Sequence, residues 1–118
     1  MEDKLNAQGV GVAWGNATAC TTLAEGVTAA MADPASDLRT VVGSEVETGT
    51  AAGTAEATAA AAWADVVVLA LGEPTNYSGE AQSRTDIVVP AAQQQLAEAV
   101  AAAAHGKPVI VMLKNGRA

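Results

Sequence analysis

An α/β fold on a mainly parallel sheet is what this 118-residue sequence predicts, and three observations carry the prediction. Two short apolar runs, Asp65-Val-Val-Val-Leu-Ala-Leu71 and Val109 to Leu113, are continuous rather than alternating, the pattern of strands buried on both faces. A stretch of helical composition precedes each run. Helix and strand patterns alternate along the chain, which implies parallel strands joined by right-handed crossovers, with helices on both faces of the sheet. The expected architecture is a three-layer α/β/α sandwich.

Residues 1–16 show no convincing period, and Gly9, Gly11 and Gly15 mark an irregular segment. A helix is predicted from Thr18 to Ala32, because Leu23, Val27 and Met31 share one face and Asn16 or Thr18 can cap it. Asp33-Pro34 ends it. Leu38 to Gly43 is predicted as a strand, with Val41 and Val42 as its β-branched residues, and 44–53 as a polar connection. Thr54 to Trp63 is an alanine-rich helix, formed by propensity more than by an apolar stripe. Asp65 to Leu71 is the second strand. After a long loop, Pro90 suits the first turn of a helix whose inner face is Leu96, Val100 and Ala103. His105-Gly106-Lys107-Pro108 stops that helix with a cation, a glycine and a proline in order, and Val109 to Leu113 is the third strand. Three strands are few for this class, whose sheets commonly have four to six. Residues 1–118 are therefore expected to form one incomplete domain, flavodoxin-like or Rossmann-like and truncated.

Composition narrows the function. Thirteen acidic and six basic residues give a net charge of −7, and no basic stripe is present, which excludes a phosphate-backbone partner. No apolar run approaches the roughly 20 residues of a membrane span, so no membrane partner is expected. Cys20 stands alone, which rules out an internal disulfide or a thiolate metal site and suits a small buried thiol. No His, Cys and Asp grouping has metal-ligand spacing, and neither metal nor cofactor is expected. Gly9-Val-Gly-Val-Ala-Trp-Gly15 fails as a dinucleotide fingerprint, since Trp14 stands where the third glycine belongs and no strand precedes it. The core has to be built with two tryptophans, one tyrosine and no phenylalanine.

The chemistry-bearing segment is the loop from Gly72 to Pro90, which leaves the carboxyl end of the second strand and carries Glu73, Tyr77, Glu80, Arg84 and Asp86. Loops of that length in compact domains are usually functional or disordered. In open parallel sheets, ligand sites form outside the carboxyl ends of the strands. The loop and the segment after Leu113 should therefore converge on one rim. Glu73 and Glu80 are both candidates for proton transfer. Arg84 and Asp86, two residues apart, can pair and pin the loop, a surface interaction worth about 0–1 kcal/mol. His105 fits the dipole at a helix C-terminus and is not assigned chemistry.

Three segments together resemble one family. Ala-Asp-Val-Val-Val-Leu-Ala-Leu-Gly-Glu (64–73), Ser-Gly-Glu-Ala-Gln-Ser-Arg-Thr-Asp-Ile-Val-Val-Pro (78–90) and Gly-Lys-Pro-Val-Ile-Val-Met-Leu-Lys-Asn-Gly-Arg (106–117) are similar to the second domain of bacterial glycoside hydrolase family 3 β-glucosidases. Thr22-Leu23-Ala24-Glu25-Gly26 resembles that domain's first helix. The resemblance implies a retaining β-glucosidase that cleaves terminal β-D-glucosyl residues from β-glucosides or cello-oligosaccharides. It implies a nucleophilic aspartate on a preceding (β/α)₈ barrel, absent here, and an acid/base glutamate on this domain. The position that matches the family's Ser-Gly-Glu pattern is Glu80. Reach favours the same choice, because Glu73 is tethered beside the strand end while Glu80 follows the flexible Ser78-Gly79; Glu73 stays the alternative. Tyr77, Arg84 and Asp86 would order the loop or lie near substrate. The chain departs from the family pattern in lacking an opening strand before the Trp14 loop, in Ala118 replacing a proline, and in Ala91-Ala92 replacing a glycine. The first two departures suit a truncated chain, inactive alone, whose open sheet edge can pair with a second copy. The rival expectation is a free-standing flavodoxin-like binding or interaction module without catalysis.

Overall fold

The computed structural model describes residues 16–116. The expectations that concern Gly9 to Gly15, Trp14, Arg117 and Ala118 lie outside the described residues. Two compact units are present. One comprises Val41–Glu73 and Asp86–Asn115; the other comprises, among the described residues, 16–40, Pro74–Thr85 and Gly116.

In the second of these units, the helix expected over 18–32 is divided. A short 3₁₀ turn, Ala17–Ala19, is capped by Asn16, whose Oδ1 accepts from the Thr18 N–H at 3.0 Å. The α-helix proper, α1, is Leu23–Ala30. Its cap is Thr22, and neither Asn16 nor Thr18 serves. Thr22 Oγ1 accepts from the Glu25 N–H while Glu25 Oε2 accepts from the Thr22 N–H at 2.8 Å, a reciprocal capping box that satisfies two otherwise orphaned donors. Leu23, Val27 and Met31 are each half-buried, so the expected face forms. Cys20, expected to be buried, is half-buried. Asp33-Pro34 does more than end α1. Asp33 caps a one-turn helix, α2 (Pro34–Asp37), with proline at its first position, where no N–H is needed.

The other unit holds the sheet. Helix α3 spans Ala51–Trp63 and begins three residues earlier than expected, because Thr50 Oγ1 accepts from the Gly53 N–H at 3.0 Å and sets the cap there. Strand β1 is Val67–Gly72, helix α4 is Ala91–Ala103 and strand β2 is Val109–Lys114. The strands pair in parallel from Val67↔Val109 to Gly72↔Lys114, the crossover topology that the alternating pattern predicts. Helix α4 stops where the His105 to Pro108 signals place its end, and Lys107 Nζ donates to the Ala62 carbonyl at the end of α3 at 2.7 Å.

The core is small and aliphatic. Ala61 of α3, Leu69 and Leu71 of β1, and Leu96 and Val100 of α4 are buried together, with Val67, Val89 and Val109 packed around them. The inner face of α4 is thus Leu96 and Val100, as expected, with Ala103 against the cluster. Helix α3 and helix α4 pack against each other and cover one face of β1. The expectation that both strands are buried on both faces fails. Val68 and its partner Ile110, on the opposite face, are 44% and 50% exposed.

The strand expected at Leu38 to Gly43 is also absent, and among the described residues the sheet has two strands rather than three. Only an isolated antiparallel bridge, Ser44↔Gly49, follows it. The reason is visible at Gly43. A Cβ on Gly43 would stand 2.7 Å from the Leu96 methyls, and a Cβ on Gly53 would stand 2.6 Å from the Gly43 carbonyl oxygen. This backbone packs edge-on into α3 and α4, where a glycine is required, instead of entering a ladder.

Gly72 has no substitute. Its φ is 151°, and a Cβ would overlap the Lys114 carbonyl. Gly72→Ala should cost about 2–4 kcal/mol, read as a lower urea midpoint at an unchanged slope. Gly26 is the opposite case: it is exposed inside α1, and a Cβ would meet only a Thr21 methyl at 3.9 Å. Gly26→Ala should raise stability by about 0.5–1 kcal/mol in the same measurement.

Candidate functional site

Parallel pairing brings the carboxyl ends of β1 and β2 to one rim, with Gly72 opposite Lys114. The Glu73 N–H donates to the Lys114 carbonyl at 2.9 Å, so the first loop residue is still held by the ladder. Glu73 is half-buried, and its carboxyl leaves from a fixed backbone.

The rim has a second fixture that periodicity did not single out. Gln93, in the first turn of α4, is 5% exposed. Its Oε1 accepts from the Gly72 N–H at 2.8 Å, and its Nε2 donates to the Gly72 carbonyl at 2.8 Å and to the Val46 carbonyl at 3.1 Å. The side-chain amide thus pairs with Gly72 as a neighbouring strand's peptide would. The signal for it was spacing: Gln93 lies three residues before Leu96 and seven before Val100, on the inner stripe where an apolar residue is the usual occupant. At the far end of the segment, Asp86 Oδ1 accepts from the Val88 N–H at 3.3 Å.

The middle of the loop belongs to the other unit. It contains a 3₁₀ turn over Thr75–Tyr77, closed by the Tyr77 N–H donating to the Pro74 carbonyl at 3.1 Å. The chain then reverses through Gly79, whose φ of 124° suits glycine, and the Gln82 N–H donates to the Gly79 carbonyl at 3.1 Å. Glu80 and Ala81 stand at the tip of that turn, and Glu80 is exposed. An open depression of about 310 Å³ runs along this strip, walled by Thr75, Asn76, Ser78 and Glu80. The Arg84 guanidinium lies over the Tyr77 ring, 4.4 Å from its centroid, in cation–π contact that ties the two ends of this strip together.

The expected convergence of the two polar segments is realised at one point. Gly116, past the end of β2, lies so close to Ser78 that a side chain on it would overlap the serine hydroxyl. The two candidate carboxylates therefore differ in kind. Glu73 is anchored by a strand ladder, and Glu80 is presented on a turn beside an open depression. Among the described residues no group of three His, Cys, Asp or Glu side chains is placed to hold a metal ion, and no helix is long and apolar enough to cross a membrane.

Residues 2–118 match the glycosyl hydrolase family 3 C-terminal domain. A periplasmic beta-glucosidase of Salmonella typhimurium is 47% identical over 62 residues, which cover 52% of this chain and 8% of that protein. A beta-xylosidase of Formosa agariphila is 39% identical over 75 residues, covering 64% of this chain and 10% of that protein. The chain spans about a tenth of the length of these curated relatives. No solved structure matches it. A family match over nearly the whole sequence, on an α/β fold with a parallel strand pair, shows that the chain belongs to glycoside hydrolase family 3, within its C-terminal domain.

Proposed function

We propose that this chain is the acid/base-bearing part of a retaining β-glycosidase that acts on terminal β-D-glucosyl residues, with Glu80 as the acid/base. The observation that carries the reading is Glu80 itself: an exposed carboxyl on the Gly79–Gln82 turn, lining an open depression, inside a chain matched to this family over residues 2–118. The names of the relatives, a beta-glucosidase and a beta-xylosidase, support a β-linked pyranoside as substrate class.

In a retaining mechanism two carboxyls about 5–5.5 Å apart flank the scissile bond. The nucleophile, assigned to an aspartate on a (β/α)₈ barrel outside this chain, attacks the anomeric carbon. Glu80 gives its proton to the glycosidic oxygen as that bond breaks, and the leaving alcohol departs neutral. The Glu80 carboxylate then takes a proton from the water that hydrolyses the glycosyl-enzyme, which restores the acid. A residue with two opposite roles has to reach both the leaving group and the incoming water, and the exposed turn suits that. Tyr77 and Arg84 hold the turn's flanks, and Asp86 caps the backbone where the chain returns towards α4.

Without the nucleophile the isolated chain should give no turnover of an aryl β-glucoside, and measurable release of the aryl group by the pure chain would contradict the proposal. In the full-length enzyme that carries this segment, Glu80→Ala should lower kcat on alkyl β-glucosides by about 10²–10⁴-fold. Added azide should restore part of the rate on an activated aryl glucoside and yield the glucosyl azide. If Glu73→Ala shows the azide rescue and Glu80→Ala does not, the two roles are reversed.

A further inference from the structure

We propose that Asn115 is a site of spontaneous covalent modification, a deamidation in which the backbone nitrogen of Gly116 displaces the side-chain amide. The chain has four asparagines, Asn6, Asn16, Asn76 and Asn115, and Asn115 alone is followed by glycine. Such a reaction asks for an exposed carboxamide, a following N–H that no acceptor holds, and a following residue without a Cβ to block the approach. All three conditions meet here. Strand β2 ends at Lys114, so the ladder stops one residue before Asn115. Asn115 and Gly116 are both exposed. Among the described residues no acceptor takes the Gly116 N–H, which leaves that nitrogen available as the nucleophile.

The other two described asparagines show what is special about this one. Asn16 Oδ1 accepts from the Thr18 N–H at 3.0 Å and from the Thr18 hydroxyl at 2.7 Å, so its carboxamide is fixed. The residue after it, Ala17, sets a methyl group beside the nitrogen that would attack. Asn76 is exposed, but it lies inside the 3₁₀ turn Thr75–Tyr77. The nitrogen that would attack there belongs to Tyr77, whose N–H donates to the Pro74 carbonyl at 3.1 Å. Exposure alone does not make a reactive site.

The Gly116 nitrogen gives its proton to hydroxide and attacks Asn115 Cγ. The new N–Cγ bond closes a five-membered succinimide, and the Cγ–Nδ2 bond breaks with ammonia as the leaving group. Water then opens the ring. Cleavage at Cγ leaves aspartate in an ordinary peptide. Cleavage at the backbone carbonyl leaves isoaspartate, in which the main chain runs through the side chain and is one carbon longer. Overall one water is consumed and one ammonia released, with no change of oxidation state. Either product arises beside the close approach of Gly116 to Ser78, a wall of the depression that Glu80 shares.

The test is peptide mapping by mass spectrometry of the folded chain after incubation at mildly alkaline pH. The peptide containing Asn115 should gain the mass of an NH₂-to-OH exchange, in an aspartate and an isoaspartate form. It should do so several-fold faster than the peptides containing Asn16 or Asn76. The rate should rise with pH, because the attacking nitrogen has to lose its proton. An isoaspartyl methyltransferase with S-adenosylmethionine should then transfer methyl groups to the aged chain. Asn115→Gln, whose longer side chain closes a six-membered ring far more slowly, should remove most of that methyl acceptance. Equal rates at the three asparagines would overturn the proposal, as would methyl acceptance undiminished in Asn115→Gln. The same incubation in urea separates fold from sequence. Reaction of Asn115 in the unfolded chain alone would mean that the folded backbone shields it, and the proposal would fail on that result too.

Discussion

Both polar groups of the Gly72 peptide backbone are closed by the side-chain amide of Gln93, and the rest of the rim depends on that closure. Among the described residues β1 pairs with β2 on one side, and on its other side the Gly72 N–H and carbonyl have to be met by other partners. Near the carboxyl end of β1, one glutamine supplies both. Because it sits in the first turn of α4, it also locks that helix to the strand end and, through the Val46 carbonyl, to the segment that carries the Ser44↔Gly49 bridge. Three stretches distant in sequence are joined by a single planar group. The cost of desolvating such a group is recovered only when every bond is made, which gives the junction one geometry rather than several.

Around this junction the core is built from small aliphatic side chains, and close approach takes the place of bulk. Gly43 and Gly53 let the backbone before α3 lie directly against that helix and under Leu96. Ala61 and Val100 fill the interior, whereas Trp63, the largest side chain of α3, is 42% exposed and contributes less. On one face of the sheet α3 and α4 cover Leu69 and Leu71 of β1, while Val111 and Leu113 beside them on β2 stay more than half exposed. The other presents Val68, Ile110 and Met112, an apolar surface of the sort that soluble proteins usually bury against another layer.

The same economy shapes the site. A strand ladder is a good anchor for a residue that has to stay still, and the Glu73 backbone is part of one. A turn tip suits a group that has to stay accessible. Glu80 has that setting: Gly79 makes the reversal, the Gln82 N–H closes it, and the Tyr77–Arg84 contact holds its flanks. Tyr77 and Arg84 are both half-buried, and a cation–π pair is worth about 0.5–2 kcal/mol, enough to bias a loop.

Much of this was legible in the residues. The runs at 65–71 and 109–113, the proline before α4 and the His105 to Pro108 stop all act through local preference and periodicity, and all appear where those preferences put them. The loop that leaves β1 and its approach to the segment after β2 followed from parallel topology alone. Three features did not follow. Leu38 to Gly43 has strand-forming valines, but a strand exists only when another backbone accepts it, and the Gly43 backbone packs against Gly53. Thr22 took the cap of α1 because Glu25 is in register to complete the box, a cooperative choice among several competent residues. Gln93 reads as one polar residue in an alanine-rich helix, and nothing in its neighbours announces that Gly72 and Val46 will meet it. Sequence by itself determined the elements, their order and the residues able to do chemistry, since these depend on each residue and those a few places away. Tertiary structure alone decided which backbone groups were left needing partners and which side chain would answer them, because unsatisfied hydrogen-bonding capacity is a property of the assembled fold.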